Sequence, residues 1–285
     1  MREKLKIAIV GPGNLGRVMA QSLHGAGYPI TEIVTGGSAS SRKKGQVLAS
    51  KVGARVVTTS DAALNAGLVW VCVPDREIAK VARELAASRD WKSKVAVHAS
   101  GALDSGELKP LREKGAAVAS LHPLMTFVAG AKPMLDGVPF AVEGDAAAVR
   151  VARQIVRALK GNIFAIPRDR KPAYHAWGGF TSPLLVAFLV TGEEVARLAG
   201  IQPAQARRRM LPIVRQTLCN YEKLGAAGAF SGPIVRGDIE TVRKHLQALK
   251  KVPLARELYL ALARSAIKNL PAGNRKALRV VLNES

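Results

Sequence analysis

The stretch Leu5-Lys6-Ile7-Ala8-Ile9-Val10-Gly11-Pro12-Gly13-Asn14-Leu15-Gly16 decides the fold. Its first half is a short apolar run closed by Gly11, as a buried strand closes at a turn. Its second half fits G-x-G-x-x-G, and Leu15, Val18, Met19 and Leu23 then recur at helical spacing over 14–26. Strand, glycine turn and helix in that order make a phosphate-binding unit. Gly11 supplies the tight turn, Gly13 lets the backbone approach a pyrophosphate, and Gly16 lets helix and strand pack closely. The N–H groups that Asn14 and Leu15 bring to the helix start would hold the phosphates.

The same alternation continues outward. Strands are predicted at 30–35, 54–58, 68–73, 94–98, 116–121, 138–142 and 162–166, with helices at 75–88 and 145–160. The run Leu68-Val69-Trp70-Val71-Cys72-Val73 has no polar face, as a strand covered on both sides requires. After Pro167 the period becomes helical, over 183–199, 203–224, 238–250, 253–269 and 273–282. The expected architecture is an α/β domain with a doubly wound, mostly parallel sheet over 1–166, followed by an all-α domain over 167–285.

Composition narrows the function. At 285 residues, 48% of them hydrophobic, the chain can build a real core, which excludes disorder. Two cysteines make no disulfide framework, and the apolar start is too short for a signal or a membrane span, so a cytoplasmic protein is expected. The net charge of +22 divides as +10 over 1–165 (23 basic, 13 acidic) and +12 over 166–285 (20 basic, 8 acidic). Spread this way, it reads as a basic surface that draws in small anions, with no nucleic-acid groove expected.

The end of the second strand reads Thr35-Gly36-Gly37-Ser38, where a selector for unphosphorylated ribose would carry an acid. Ser38 and Arg42, with Lys43 and Lys44 beside them, suit a 2′-phosphate, so NADP is the expected cofactor. Val73 and Pro74 end the fourth strand and Ser100 and Gly101 the fifth; both segments should line the cofactor cleft. Hydride transfer needs a nearby proton donor. His122 at a strand end, His175 at the start of the helical half and Ser182 beside it are the candidates for catalysis or substrate contact. Asp238 reads as a helix N-cap. The five histidines have no metal-ligand spacing, and no nucleophile elbow is present.

Gly11–Gly16, His98-Ala99-Ser100-Gly101-Ala102, the segment from Leu121 to Phe127, and the segment from Ser231 to Asp238 together carry a resemblance. They resemble the Rossmann-like oxidoreductases that have a C-terminal domain of unknown function 2520. At greater distance the chain is similar to pyrroline-5-carboxylate reductase and ketopantoate reductase. The resemblance implies an NADP-binding Rossmann domain, a helical domain of the 6-phosphogluconate dehydrogenase C-terminal-like kind that forms a homodimer, and a reductase or dehydrogenase. The expected substrate is a small, anionic carbonyl or imine compound bound between the domains. The competing expectation is an NADP(H)-binding sensor without turnover.

Overall fold

A computed structural model describes residues 4–87, 90–131 and 134–284. In the N-terminal half, strands and helices alternate as β1 (Ile7–Val10), α1 (Asn14–Gly25), β2 (Ile30–Thr35), α2 (Ala39–Val52), β3 (Arg55–Thr58), β4 (Leu68–Val71), α3 (Asp75–Ala86), β5 (Val95–His98), α4 (Lys109–Glu113) and β6 (Ala117–Pro123). Then come β7 (Pro139–Gly144), α5 (Ala146–Ala158), β8 (Asn162–Ala165) and α6 (Lys171–Thr181). The strands make one sheet in the order β3-β2-β1-β4-β5-β6-β7-β8. Pairings from β3 to β6 are parallel, and β7 pairs antiparallel to β6.

The side-chain alternation of β1 explains the layering. Ile7 and Ile9 join a core with Val18, Met19 and Leu23 of α1 and with Leu48 and Val52 of α2. Ala8 and Val10 face the other way, into a core with Ile78, Ala82 and Leu85 of α3 and Leu111 of α4. Helices on both faces of a parallel sheet leave its C-terminal edge open. The chain reverses direction across the sheet between β1 and β4, which is where such sheets bind ligands.

Two compact units divide at Ser182 and Pro183, rather than at 166 as read from the pattern. The physical reason is α6, which the sequence places with the helices but which packs its polar face on β5 and β6, as described below. The second unit holds α7 (Pro183–Leu198), α8 (Pro203–Ala229), α9 (Pro233–Arg236), α10 (Ile239–Ala248), α11 (Pro253–Asn269) and α12 (Arg275–Asn283). No strand occurs among its described residues. Its core joins Val242 and Leu246 of α10, Leu260, Ala263 and Ile267 of α11, and Leu278, Val281 and Leu282 of α12. Asp238 caps α10 by accepting a hydrogen bond from the Thr241 N–H at 3.0 Å. The run 168–198 has the length and apolar content of a membrane span, though little of it is buried.

Candidate active site

The glycine turn does what its spacing requires. Gly11 has φ +98, and a Cβ there would stand 2.9 Å from the Cys72 carbonyl oxygen. At Gly16 a Cβ would stand 2.0 Å from the Gly11 carbonyl oxygen, so this glycine serves helix–strand packing and faces no ligand. Gly13 has nothing within 4 Å of the same position, so its backbone is open to an approaching group.

Beside the turn lies a cavity of about 740 Å³. Gly11, Gly13, Ser38, Val73 and Pro74 line it, as the sequence reading expects. Arg42 does not; Lys44 lines it with Ser40 and Ser41, and Glu77, Lys80 and Glu84 line it from α3. The reason is helix phase. Ser38 is the N-cap of α2, accepting from the Ser41 N–H at 3.2 Å; Ser40 and Lys44 lie four apart on one side of the helix, and Arg42, two residues and so about half a turn from each, faces solvent. Leu15 packs on the core behind the turn. Asn14 reaches across to donate to the Phe127 carbonyl at 3.2 Å.

A second group of residues sits at the ends of β5 and β6. Ser120 and His122 lie two apart on β6 and so share a face. Along α6, Lys171, Tyr174, His175 and Gly178 recur at i, i+3, i+4 and i+7 and share a stripe. The two elements meet rung by rung. The Lys171 ammonium donates to the Ser120 hydroxyl at 2.7 Å and to the Ser100 carbonyl at 3.0 Å. One turn on, the Tyr174 hydroxyl and His122 Nδ1 are hydrogen-bonded at 2.8 Å. Then Gly178 packs on Leu124.

Gly101 lies beneath this ladder. A Cβ there would stand 2.5 Å from His175 Cδ2 and 2.9 Å from His122 Nε2. The two imidazoles meet edge to face, with centroids 6.1 Å apart. The structure therefore brings His122, His175 and Gly101 together. Ser182 ends α6 two turns past His175, on the same side of the helix by spacing. Ser100 is committed internally: its hydroxyl donates to Asp75 at 2.8 Å and accepts from the Ala102 and Leu103 N–H groups.

Electrostatics distinguish these groups. Burial, and then the charges of Lys171 and His175, hold His122 down to about 4, so its ring is neutral at pH 7. His98 is also held at about 4, chiefly by burial. Burial lowers Lys171, with Glu143, Asp104 and Asp75 pulling back from longer range. Burial raises Tyr174 to about 12. Cys72 is buried and its thiol is pushed up, so it is no nucleophile. Among the described residues no cluster of His, Cys, Asp or Glu could hold a metal.

Sequence reasoning missed Lys171, Tyr174, Ser120 and Asp75. The signal for the first two was Lys171-Pro172-Ala173-Tyr174-His175 itself: proline at the second position of a helix, then aromatic and imidazole on one face.

Comparisons with known proteins agree with this architecture. Residues 1–123 match the family model of a Rossmann-like domain, and residues 138–266 match that of a domain of unknown function, DUF2520. No curated protein matches the chain. Among solved structures, protein TM1727 from Thermotoga maritima is 26% identical, with a TM-score of 0.71 over 98% of each chain. A Bacteroides fragilis protein designated an NADP oxidoreductase is 21% identical, with a TM-score of 0.76 over 92% of this chain and 98% of its own. A reductive aminase from Aspergillus terreus, in complex with NADPH and ethyl-5-oxohexanoate, is 16% identical. Its TM-score is 0.66 over 97% of this chain and 99% of its own.

Proposed function

Because the chain joins a Rossmann-like domain to a DUF2520 domain, we propose that it is an NADP(H)-dependent oxidoreductase. It acts on a small, anionic carbonyl or imine compound. The observation that carries this reading is one sheet edge that presents both an open glycine turn and, three strands over, a hydrogen-bonded His–Tyr pair. The solved relatives designated as NADP oxidoreductase and reductive aminase support it by likeness of fold.

The residues present fit the cofactor. Gly13 leaves room for a pyrophosphate that the first turn of α1 would hold through its N–H groups. Ser38, Ser40, Ser41 and Lys44 offer hydroxyls and a cation to a 2′-phosphate, and no acid from the end of β2 opposes it. Val73 and Pro74 form an apolar wall. When bound, the reduced nicotinamide supplies a hydride.

His122 is the proton donor. With the Tyr174 hydroxyl donating to Nδ1, the neutral ring carries its hydrogen on Nε2, the atom that stands over Gly101. As negative charge grows on the substrate heteroatom, Nε2–H transfers its proton there, and Nδ1 takes the hydroxyl proton of Tyr174. Water then restores Tyr174. His175 and Ser182 contact the substrate from α6, and Gly101, where a side chain would strike both imidazoles, lets His122 and His175 come together there.

The protein works in the cytoplasm as a homodimer. Supporting the dimer, α7 exposes Leu184, Val186, Phe188 and Val190, and α8 exposes Ile213, Leu218, Tyr221 and Leu224. Apolar surface on that scale marks an association face.

Titration with NADPH and NADH, followed by cofactor fluorescence, tests the reading. Micromolar NADPH binding and much weaker NADH binding are expected, then NADPH oxidation with members of a carbonyl and imine panel that falls sharply in His122→Asn. NADPH binding without any oxidation would identify a sensor; no binding of either cofactor would end the oxidoreductase reading.

A further inference from the structure

A second cavity, of about 400 Å³, lies between α1 and α2 and adjoins the cofactor cavity. Small-molecule sites usually measure about 300–1,000 Å³. Two facing stripes build it. On α1, Asn14, Arg17 and Gln21 recur at i, i+3 and i+7; on α2, Lys44, Leu48 and Lys51 recur at i, i+4 and i+7. Lys43 joins them from α2, and Ala129 and Gly130 border the cavity from the segment after β6. Two hydrogen bonds fasten that segment to α1. Asn14 donates to the Phe127 carbonyl at 3.2 Å, and the half-buried Arg17 donates to the Ala131 carbonyl at 2.8 Å.

The charge of this cavity is one-sided. Arg17, Lys43, Lys44 and Lys51 line it, and no acid does. From Gly11 to Ser60 the one acid is Glu32. It is buried, bonded to Arg55 and to the N–H groups of Ala63 and Leu64, and so gives no charge to the groove. Among the described residues none of the four cations forms an ion pair. Other helices are mixed: Lys80 pairs with Glu84 on α3, and Lys109 with Glu113 on α4. The cofactor cavity is mixed as well, with Lys44 and Lys80 opposed by Glu77 and Glu84. Cations gathered on one cavity without a carboxylate repel one another, and a multivalent anion among them removes that repulsion.

The lining also selects the anion. Lysine ammoniums are compact point charges that suit phosphate oxygens. No aromatic side chain lines the cavity to stack a base, so a free phosphate compound fits it better than a nucleotide. The two cavities share a wall, since Gly13, Ser40 and Lys44 line both. A Lys44 ammonium bonded to an anion between the helices is drawn away from a 2′-phosphate on the other side.

We propose that the cavity between α1 and α2 is a second anion site, which takes a multivalent phosphate anion of the pyrophosphate kind and, through Lys44, weakens the binding of NADPH. The anion site stands on its own lining; only its effect on the cofactor rests on the NADP(H) reading. Because coupling of two ligands is reciprocal, NADPH weakens the anion by the same factor.

The test is calorimetry of the full chain with inorganic pyrophosphate at constant ionic strength, followed by NADPH and NADH titrations with the anion present. Saturable binding to one site is expected. Lys51→Gln, which removes a cation from this cavity and none from the cofactor cavity, should weaken pyrophosphate about ten-fold. Lys276→Gln, an equal loss of charge at an exposed position on α12, should leave it unchanged. Pyrophosphate should raise the Kd of NADPH to a plateau about ten-fold above its starting value and leave NADH within two-fold. In Lys44→Ala the anion should no longer change NADPH affinity. Absence of saturable pyrophosphate binding to the wild type overturns the proposal, and this result needs no variant. Equal weakening by Lys51→Gln and Lys276→Gln overturns it in favour of the general surface charge. A Kd that rises without a plateau, for NADH as for NADPH, overturns it by placing the anion in the glycine turn. Failure of NADPH itself to bind is a different result: it removes the cofactor reading, while the pyrophosphate titrations of the wild type and the two glutamine variants still decide the anion site.

Discussion

His98 makes the stability of the first unit depend on pH, with a sign that its hydrogen bonds dictate. The ring is 0% exposed. Its Nδ1 accepts from the Ser100 N–H at 3.2 Å, so the hydrogen of the neutral ring sits on Nε2, which donates to the Asp104 carbonyl at 2.9 Å. Protonation would set an N–H against the Ser100 N–H and place a charge in a buried site. Burial accordingly holds the group at about 4, against an ordinary value of 6.5. The folded value is depressed, so the unfolded chain takes up the proton first. Stability is therefore full above 6.5 and is lost as pH falls towards 4. Between pH 7 and pH 5 the loss from this residue is about 2 kcal/mol. For a unit of this size that lowers Tm by roughly 4–8 °C. Urea and thermal melts at pH 7, 6 and 5 should show the fall in the wild type. His98→Asn keeps an acceptor near Nδ1 and does not titrate. It should be less stable at pH 7 but lose about 2 kcal/mol less than the wild type on going to pH 5. An equal loss in the two proteins would refute the reasoning, because the general repulsion of a basic chain would then account for all of it.

Other substitutions probe the remaining parts. Gly16→Ala drives a Cβ into the Gly11 carbonyl, which is backbone and cannot step aside; a loss of about 1–3 kcal/mol in urea unfolding is expected. Gly101→Ala must displace both His122 and His175, so kcat should fall about a hundred-fold while NADPH affinity, read by fluorescence, stays within two-fold. Lys44→Ala should weaken NADPH about ten-fold or more and leave NADH unchanged, whereas Arg42→Ala, outside the cavity wall, should do little to either. Leu218→Glu on the exposed face of α8 should convert a dimer to a monomer in light scattering; a wild type that is already monomeric would reject the dimer.

The sheet was legible because its strands are covered on both faces. A run such as Leu68–Val71, with every residue buried, has one reading only. The glycine turn was legible because each glycine answers a steric demand that no other residue meets, as Gly11 and Gly16 demonstrate. Arg42 and Lys44 defeated the same reasoning: sequence shows that cations follow the turn, while the phase of α2 decides which of them faces the cavity.

The failure at α6 has a different origin. Hydrophobic periodicity finds helices whose buried stripe is apolar, whereas the buried residues of α6 are Lys171 and Tyr174, with His175 exposed on the same stripe and Gly178 half-buried. A lysine stem gives no apolar signal, and in a chain with 43 Lys and Arg one more cation is invisible. That same choice of residues draws the helix into the sheet unit, because an ammonium bonded to Ser100 and Ser120 ties it to two strand ends at once. An apolar stripe would have packed as well, at lower desolvation cost. A buried ammonium that stability alone does not call for, placed near a neutral imidazole and a glycine packed beneath it, is where local pattern yields to the demands of a site. The break in periodicity at 171–178 is thus itself a marker of the site: it shows which helix was shaped to hold charge against the sheet edge and not merely to cover it.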